Sequence, residues 1–112
     1  MQSRVFEVLG PLVGGRAYPL VMSDTAQYPA IVWQFVAITE EPFVHAGQLI
    51  QRYRVQIKVY SSAYEEAASK RAEVVQAVRA MPEFVAQVMD FDDYEPDDKL
   101  FVWTIDMELR DL

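Results

Sequence analysis

Residues 52–59 alternate strictly. Tyr53, Val55, Ile57 and Val59 are apolar, and Arg52, Arg54, Gln56 and Lys58 between them are polar. A period of two puts the two sets on opposite sides of an extended chain, so the segment predicts a strand with one buried and one wet face. The period then changes. From about Ala63 to Met81, Tyr64, Ala67, Ala68, Arg71, Val74, Val75 and Val78 line one side of a helix, and Glu65, Glu66, Lys70, Glu73 and Gln76 lie mostly elsewhere. Ser61-Ser62 offers caps at its start, and Pro82, which has no N–H to give, ends it. Ala67 and Ala68 are small enough to let this helix sit close to a sheet.

Alternation returns in residues 99–109. Phe101, Trp103, Ile105, Met107 and Leu109 face one way, and Val102, Thr104, Asp106, Glu108 and Arg110 the other. Before it, Phe84 to Phe91 reads as a strand with weaker alternation, and Asp92 to Asp98 as a polar turn. The two strands are near in sequence and predict an antiparallel hairpin. At the other end, Ser3 is a candidate cap for a short helix carrying Val5, Phe6, Leu9, Leu12 and Val13. Gly10-Pro11 disturbs this helix and Gly14-Gly15 ends it. Arg16 to Leu20 is a short extended piece, and Val21 to Tyr28 a polar loop. Ala30 to Thr39 is a strand with apolar residues on both faces, which implies cover on both sides. Glu40-Glu41-Pro42 breaks it, and a loop runs to Gln48. The sum is an α+β fold in the order α-β-β-α-β-β. A four-stranded, mostly antiparallel sheet carries one long helix packed on a face, with a short N-terminal helix beside it.

The chain has 112 residues, which fits one domain over 1–112. Acidic residues outnumber basic ones 17 to 10, a net charge of -7. Such a chain repels phosphate, which argues against specific nucleic-acid binding and against adsorption to anionic lipid. With no cysteine, disulfides, thiol catalysis and cysteine-ligated metals are excluded. The N-terminal segment has no long apolar run after a basic start, and no stretch is long enough for a membrane span, so neither a signal peptide nor a membrane is expected.

Little in the chain suggests chemistry. His45 is the only histidine. It sits in a loop without a nucleophile or orienting partner nearby, and reads as a solvated loop residue. Gly14-Gly15-Arg16 follows a helix instead of preceding one, so it is a helix terminus and not a phosphate loop. Residues 90–98 hold six carboxylates without the spacing of an EF-hand; a solvated turn is the better reading. The charged faces say more. Arg52, Arg54 and Lys58 form a basic stripe, and Asp106 and Glu108 an acidic one. They are either opposite one another within the sheet, or opposite-sign edges that meet between neighbouring subunits. No catalytic residue, cofactor or metal site is expected.

One resemblance covers nearly the whole chain. It rests on Val13-Gly14-Gly15-Arg16-Ala17-Tyr18-Pro19, on Tyr28-Pro29-Ala30-Ile31-Val32-Trp33-Gln34, on the charged strand Arg52 to Tyr60 before a helix with Ala63, Glu66, Ala67 and Ala68, and on the acidic turn with Tyr94 and Glu95 before the closing strand. In these the chain resembles the tail completion proteins, or tail terminators, of long-tailed bacteriophages. Pro11 within the first helix departs from the pattern.

The resemblance implies a non-enzymatic structural subunit, small and α+β, that assembles as a ring of six. The ring would cap the tail tube, end its polymerisation and form the surface that joins the head connector. DNA would pass through the hole without specific binding. The implied partners are copies of the chain, the tail tube protein and the head connector protein. The implied place is the virion tail, after assembly in the host cytoplasm. Arg52, Arg54, Lys58, Asp106 and Glu108 are then candidate contacts between subunits. The loop with Glu40, Glu41, Phe43, His45 and Gln48 would reach the tube or the lumen. The second apolar face of the first strand, with either Val32, Val36 and Ile38 or the residues on the opposite side, would be covered by a neighbour. The alternative is a small dimeric ligand-binding or regulatory α+β domain.

Overall fold

In the computed structural model of the protein, residues 1–43 and 48–111 are described, with the backbone alone at 41–43, 48 and 49. Helix α1 spans Gln2–Leu9 and runs into a 3-10 turn at Gly10–Val13. Five strands and a second helix follow: β1 Ala17–Pro19, β2 Ala30–Phe43, β3 Gln48–Ser61, α2 Tyr64–Arg79, β4 Phe84–Glu95 and β5 Leu100–Arg110. The strands form one sheet in the order β1-β2-β3-β5-β4. Among the described residues only β1 and β2 pair in parallel, with Ala17 opposite Ile31 and Pro19 opposite Trp33. All other pairs are antiparallel.

The alternation of β3 does what its period requires. Tyr53, Val55, Ile57 and Val59 are buried, as are Ile105, Met107 and Leu109 beside them on β5. Val5, Leu9 and Val13 from the N-terminal helical segment and Val74 and Val78 from α2 pack on these same residues, together with Ile31 and Trp33 of β2. Both helices therefore cover one face of the sheet. Among the described residues, no helix covers the other.

Several expectations are corrected. The sheet has five strands, because the extended piece after Gly15 pairs with β2 as β1. Gly14 makes the turn possible: it ends the 3-10 turn with φ 59, a conformation open to glycine. The first helix starts at Gln2 with no side-chain cap, so Ser3 is not its N-cap. Gly10-Pro11 does disturb the helix: Pro11 has no N–H to continue the ladder, and the α-helix gives way to the 3-10 turn at this point. α2 begins after Ala63, but Ser61 still serves it: its Oγ accepts the Ala63 N–H at 3.2 Å and donates to Glu66 at 2.7 Å.

Glu40-Glu41-Pro42 does not break the second strand. β2 continues to Phe43, paired with β3 as far as Phe43 opposite Gln48. At this point β2 has a partner on one side only, and a strand with a free edge tolerates proline. Beyond Thr39 and Arg52 the two strands run on without β5, whose pairing ends at Arg110 opposite Arg52. They form a two-stranded arm. A 14-residue strand is about 46 Å long, which accounts for the elongated shape of 50 × 23 × 23 Å. The Tyr53 hydroxyl ties the base of the arm to Asp111, its one proton shared between Gln51 Oε1 at 2.6 Å and Asp111 Oδ2 at 3.2 Å. The polar turn before the last strand is also shorter than expected. β4 runs through the acidic segment to Glu95.

Candidate assembly surface

The helix-free face carries the charged residues singled out above. β3 and β5 are adjacent interior strands, so the basic and acidic stripes lie side by side and not at sheet edges. Arg54 stands opposite Glu108 in the ladder, and Gln56 opposite Asp106. Ion pairs form on the diagonals. Arg54 Nη2 donates to Asp106 Oδ2 at 3.0 Å, and Arg52 Nη1 lies 3.6 Å from Glu108 Oε2. The two pairs differ in burial. The Asp106 side chain is 4% exposed and its Oδ1 finds no hydrogen-bond partner among the described residues, whereas Arg52 and Glu108 are each about a third exposed.

Lys58 stands apart. Its ladder neighbours are Val32 and Thr104, and it has no ion-pair partner among the described residues. It lines a shallow concavity with Leu20, Val32, Gln34, Gln56 and Tyr60. Burial raises the pKa of the Tyr60 phenol, and the nearby Glu95, Tyr28 and Asp98 push the same way, so one end of this face is acidic.

The arm holds the residues expected in the loop. Glu40 and Glu41 stand opposite Gln51 and Ile50, and Phe43 opposite Gln48, all in the β2–β3 ladder. The loop of 40–48 is thus replaced by paired strands over 40–43 and from 48 onward. His45 lies outside the described residues.

The acidic segment is divided by its strand. Asp90 turns to the helix side, where it accepts from Arg71 Nε at 2.8 Å, from Gln87 Nε2 at 3.1 Å, and from Arg71 Nη2 and the Trp103 indole N–H. The Asp90 hydrogen bond raises the Arg71 pKa. The Tyr64 hydroxyl donates to Asp92 at 2.8 Å. These carboxylates work inside the fold. Among the described residues, no group of three or more ligating side chains could hold a metal ion.

Sequence reasoning missed the apolar residues at the sheet edges. On β4, Val88, Met89 and Phe91 are exposed, at 44%, 46% and 45%. Met89 and Phe91 stand opposite Asp106 and Thr104 on the helix-free face, and a bulge falls at Val88. On the far side, Leu20, Val21, Val36 and Ile38 are exposed as well. Val88, Met89 and Phe91 fall within the strand expected over Phe84 to Phe91, whose weak alternation assigns them to no face. The second apolar face expected on β2 is not one face: Val32 lies opposite Lys58, away from the helices, but a bulge shifts the alternation, so Ile38, opposite Tyr53, falls on the helix side. A bulge between Phe35 and Ala37 displaces Val36 from the ladder.

A helix-supported sheet with charged residues on its other face and apolar residues at its edges offers surface for contact with other proteins. One solved structure with this fold is described as the virion of a native gene transfer agent particle, with a TM-score of 0.59 and 14% identity, covering 97% of this chain and 87% of that one. No curated protein matches the chain. Residues 6–110 match the family described as tail completion protein gp17. The chain belongs to that family, and so to the structural proteins of phage tails.

Proposed function

We propose that the chain is the ring-forming terminator of a long phage tail. Six copies sit side by side on the finished end of the tail tube, stop its growth and give the head connector a surface to join. DNA passes through the hole without specific contact. The protein performs no catalysis; it assembles in the host cytoplasm and remains in the virion.

The observation that carries this reading is the family match across residues 6–110. The architecture supports it. The sheet ends in two different edges, β1–β2 on one side and β4 on the other. A subunit with two unlike lateral surfaces joins head to tail, and such contacts close into a ring when the rotation allows. Of the candidate contacts between subunits, Arg52, Arg54, Lys58 and Glu108 stay partly exposed on the sheet face that borders the two edges, while Asp106, 4% exposed, holds Arg54 in place from within the chain. The arm that carries Glu40, Glu41, Phe43 and Gln48 reaches the tube or the lumen. The net charge of -7 keeps DNA from adhering as it passes.

The test is a phage or prophage lysate lacking only this chain, viewed by negative-stain electron microscopy. Over-long tubes without heads, returned to uniform length by supplying the chain, support the reading. Tubes of normal length joined to heads contradict it.

A further inference from the structure

Resting on the ring reading, we propose that the interface between copies is made by the two sheet edges, the β4 edge of one copy lying against the β2 edge of the next. Three observations lead there. The first is where the uncovered apolar surface lies. Val88, Met89 and Phe91 cluster on β4, while Leu20, Val36 and Ile38 lie on β2 or the residue beside its edge. Strand order puts these groups at opposite ends of one sheet. Exposed edges are normally blunted by bulges and charges. Both edges carry bulges, yet each keeps large apolar side chains in water, which points to cover in the assembled state.

The second is backbone capacity. β1 shields β2 only at Ile31 to Trp33. From Gln34 onward β2 has one partner strand, and β4 pairs only with β5 along its length. Each edge therefore has backbone groups free to take another strand. The directions fit as well. β2 runs parallel to β5, since both are antiparallel to β3, and β4 is antiparallel to β5. A neighbour in the same orientation thus brings its β2 antiparallel to β4, the pairing that builds most of this sheet already.

The third is charge. β4 and its turn carry Asp92, Asp93, Glu95, Asp97 and Asp98. Near the β2 side, Lys58 lines its concavity with no ion-pair partner among the described residues. Asp93 lies on the same helix-free face as Phe91, opposite Val102. An acidic edge laid against β2 places carboxylates within reach of this lone ammonium. A two-fold contact, β4 on β4, would bring like charges together instead.

The chain has no cysteine, so single introduced thiols report cleanly. Val36→Cys and Phe91→Cys are made separately and treated with a short bis-maleimide. The expected result is a covalent dimer when the two variants are mixed and none from either alone. Phe91→Cys mixed with Ser69→Cys, on the exposed side of α2, gives none. Phe91→Glu and Lys58→Glu, each checked for native circular dichroism, weaken association at least tenfold, and the Lys58 effect shrinks in high salt. Self-linking of Phe91→Cys overturns the proposal, as does an oligomer seen in sedimentation that the mixed pair does not cross-link. A chain that stays monomeric at every concentration also overturns it. In that case the lysate experiment still decides the ring function, so the two failures are separable.

Discussion

Arg54 and Asp106, on neighbouring strands, meet at 3.0 Å on the face of the sheet opposite the two helices. Their surroundings are unequal: the Asp106 side chain is 4% exposed and that of Arg54 is 39%. Removing the arginine leaves a buried carboxylate without its cation. Removing the carboxylate leaves an arginine that water can reach. Arg54→Met is therefore expected to cost roughly 3 kcal/mol and Asp106→Asn about 1 kcal/mol. Urea unfolding curves measure both, and equal losses would show that the pair is not anchored as the burial indicates.

The pair between Arg4 and Glu83 joins the N-terminal helix to the segment after α2. Arg4 Nε donates to Glu83 Oε2 at 2.8 Å. That hydrogen bond is the main cause holding the Glu83 carboxyl below its ordinary value of 4.5, with burial working against it. A depressed folded-state pKa means that the unfolded chain takes up the proton first as pH falls. The pair's contribution is thus complete at neutral pH and is lost as pH drops below about 4.5 and through the folded value. The urea midpoint of the native chain should fall more steeply in that window than that of Glu83→Gln. Parallel curves would mean the pair adds nothing.

Ser61 is fully buried and steadies the entry to α2, accepting the Ala63 N–H and donating to Glu66 of the first turn. Ser61→Ala leaves that N–H without its acceptor and is expected to cost about 1–2 kcal/mol. Ser62→Ala, at an exposed position, should change stability by less than about 0.5 kcal/mol. Thermal unfolding of the two variants side by side checks the contrast.

These elements show what was legible in the sequence. Strands β3 and β5 and helix α2 could be read because each one's own burial pattern states its period, and Pro82 marks where α2 must stop. β1 could not be read as a sheet strand. Three residues carry no period, and their partner, Ile31 to Trp33, lies across the polar loop. The acids of β4 looked like a turn because their partners, Arg71 and Tyr64, sit on a helix many residues earlier. Glu40-Glu41-Pro42 looked like a break because the rule against proline in strands assumes two neighbours, and here there is one. The charged stripes are legible as alternating residues, and the strand order decides between the two arrangements open to them: they are neighbours within one sheet. The edge patches depend on that order as well, which explains why Phe91 drew no notice.

The central claim is that this chain sits at the end of a phage tail tube. The most direct measurement is electron microscopy of purified tails carrying a gold-labelled tag on the chain. The account predicts gold at one end of each tail only, where the head joins. Gold spread along the tube, or present at the opposite tip, would contradict it.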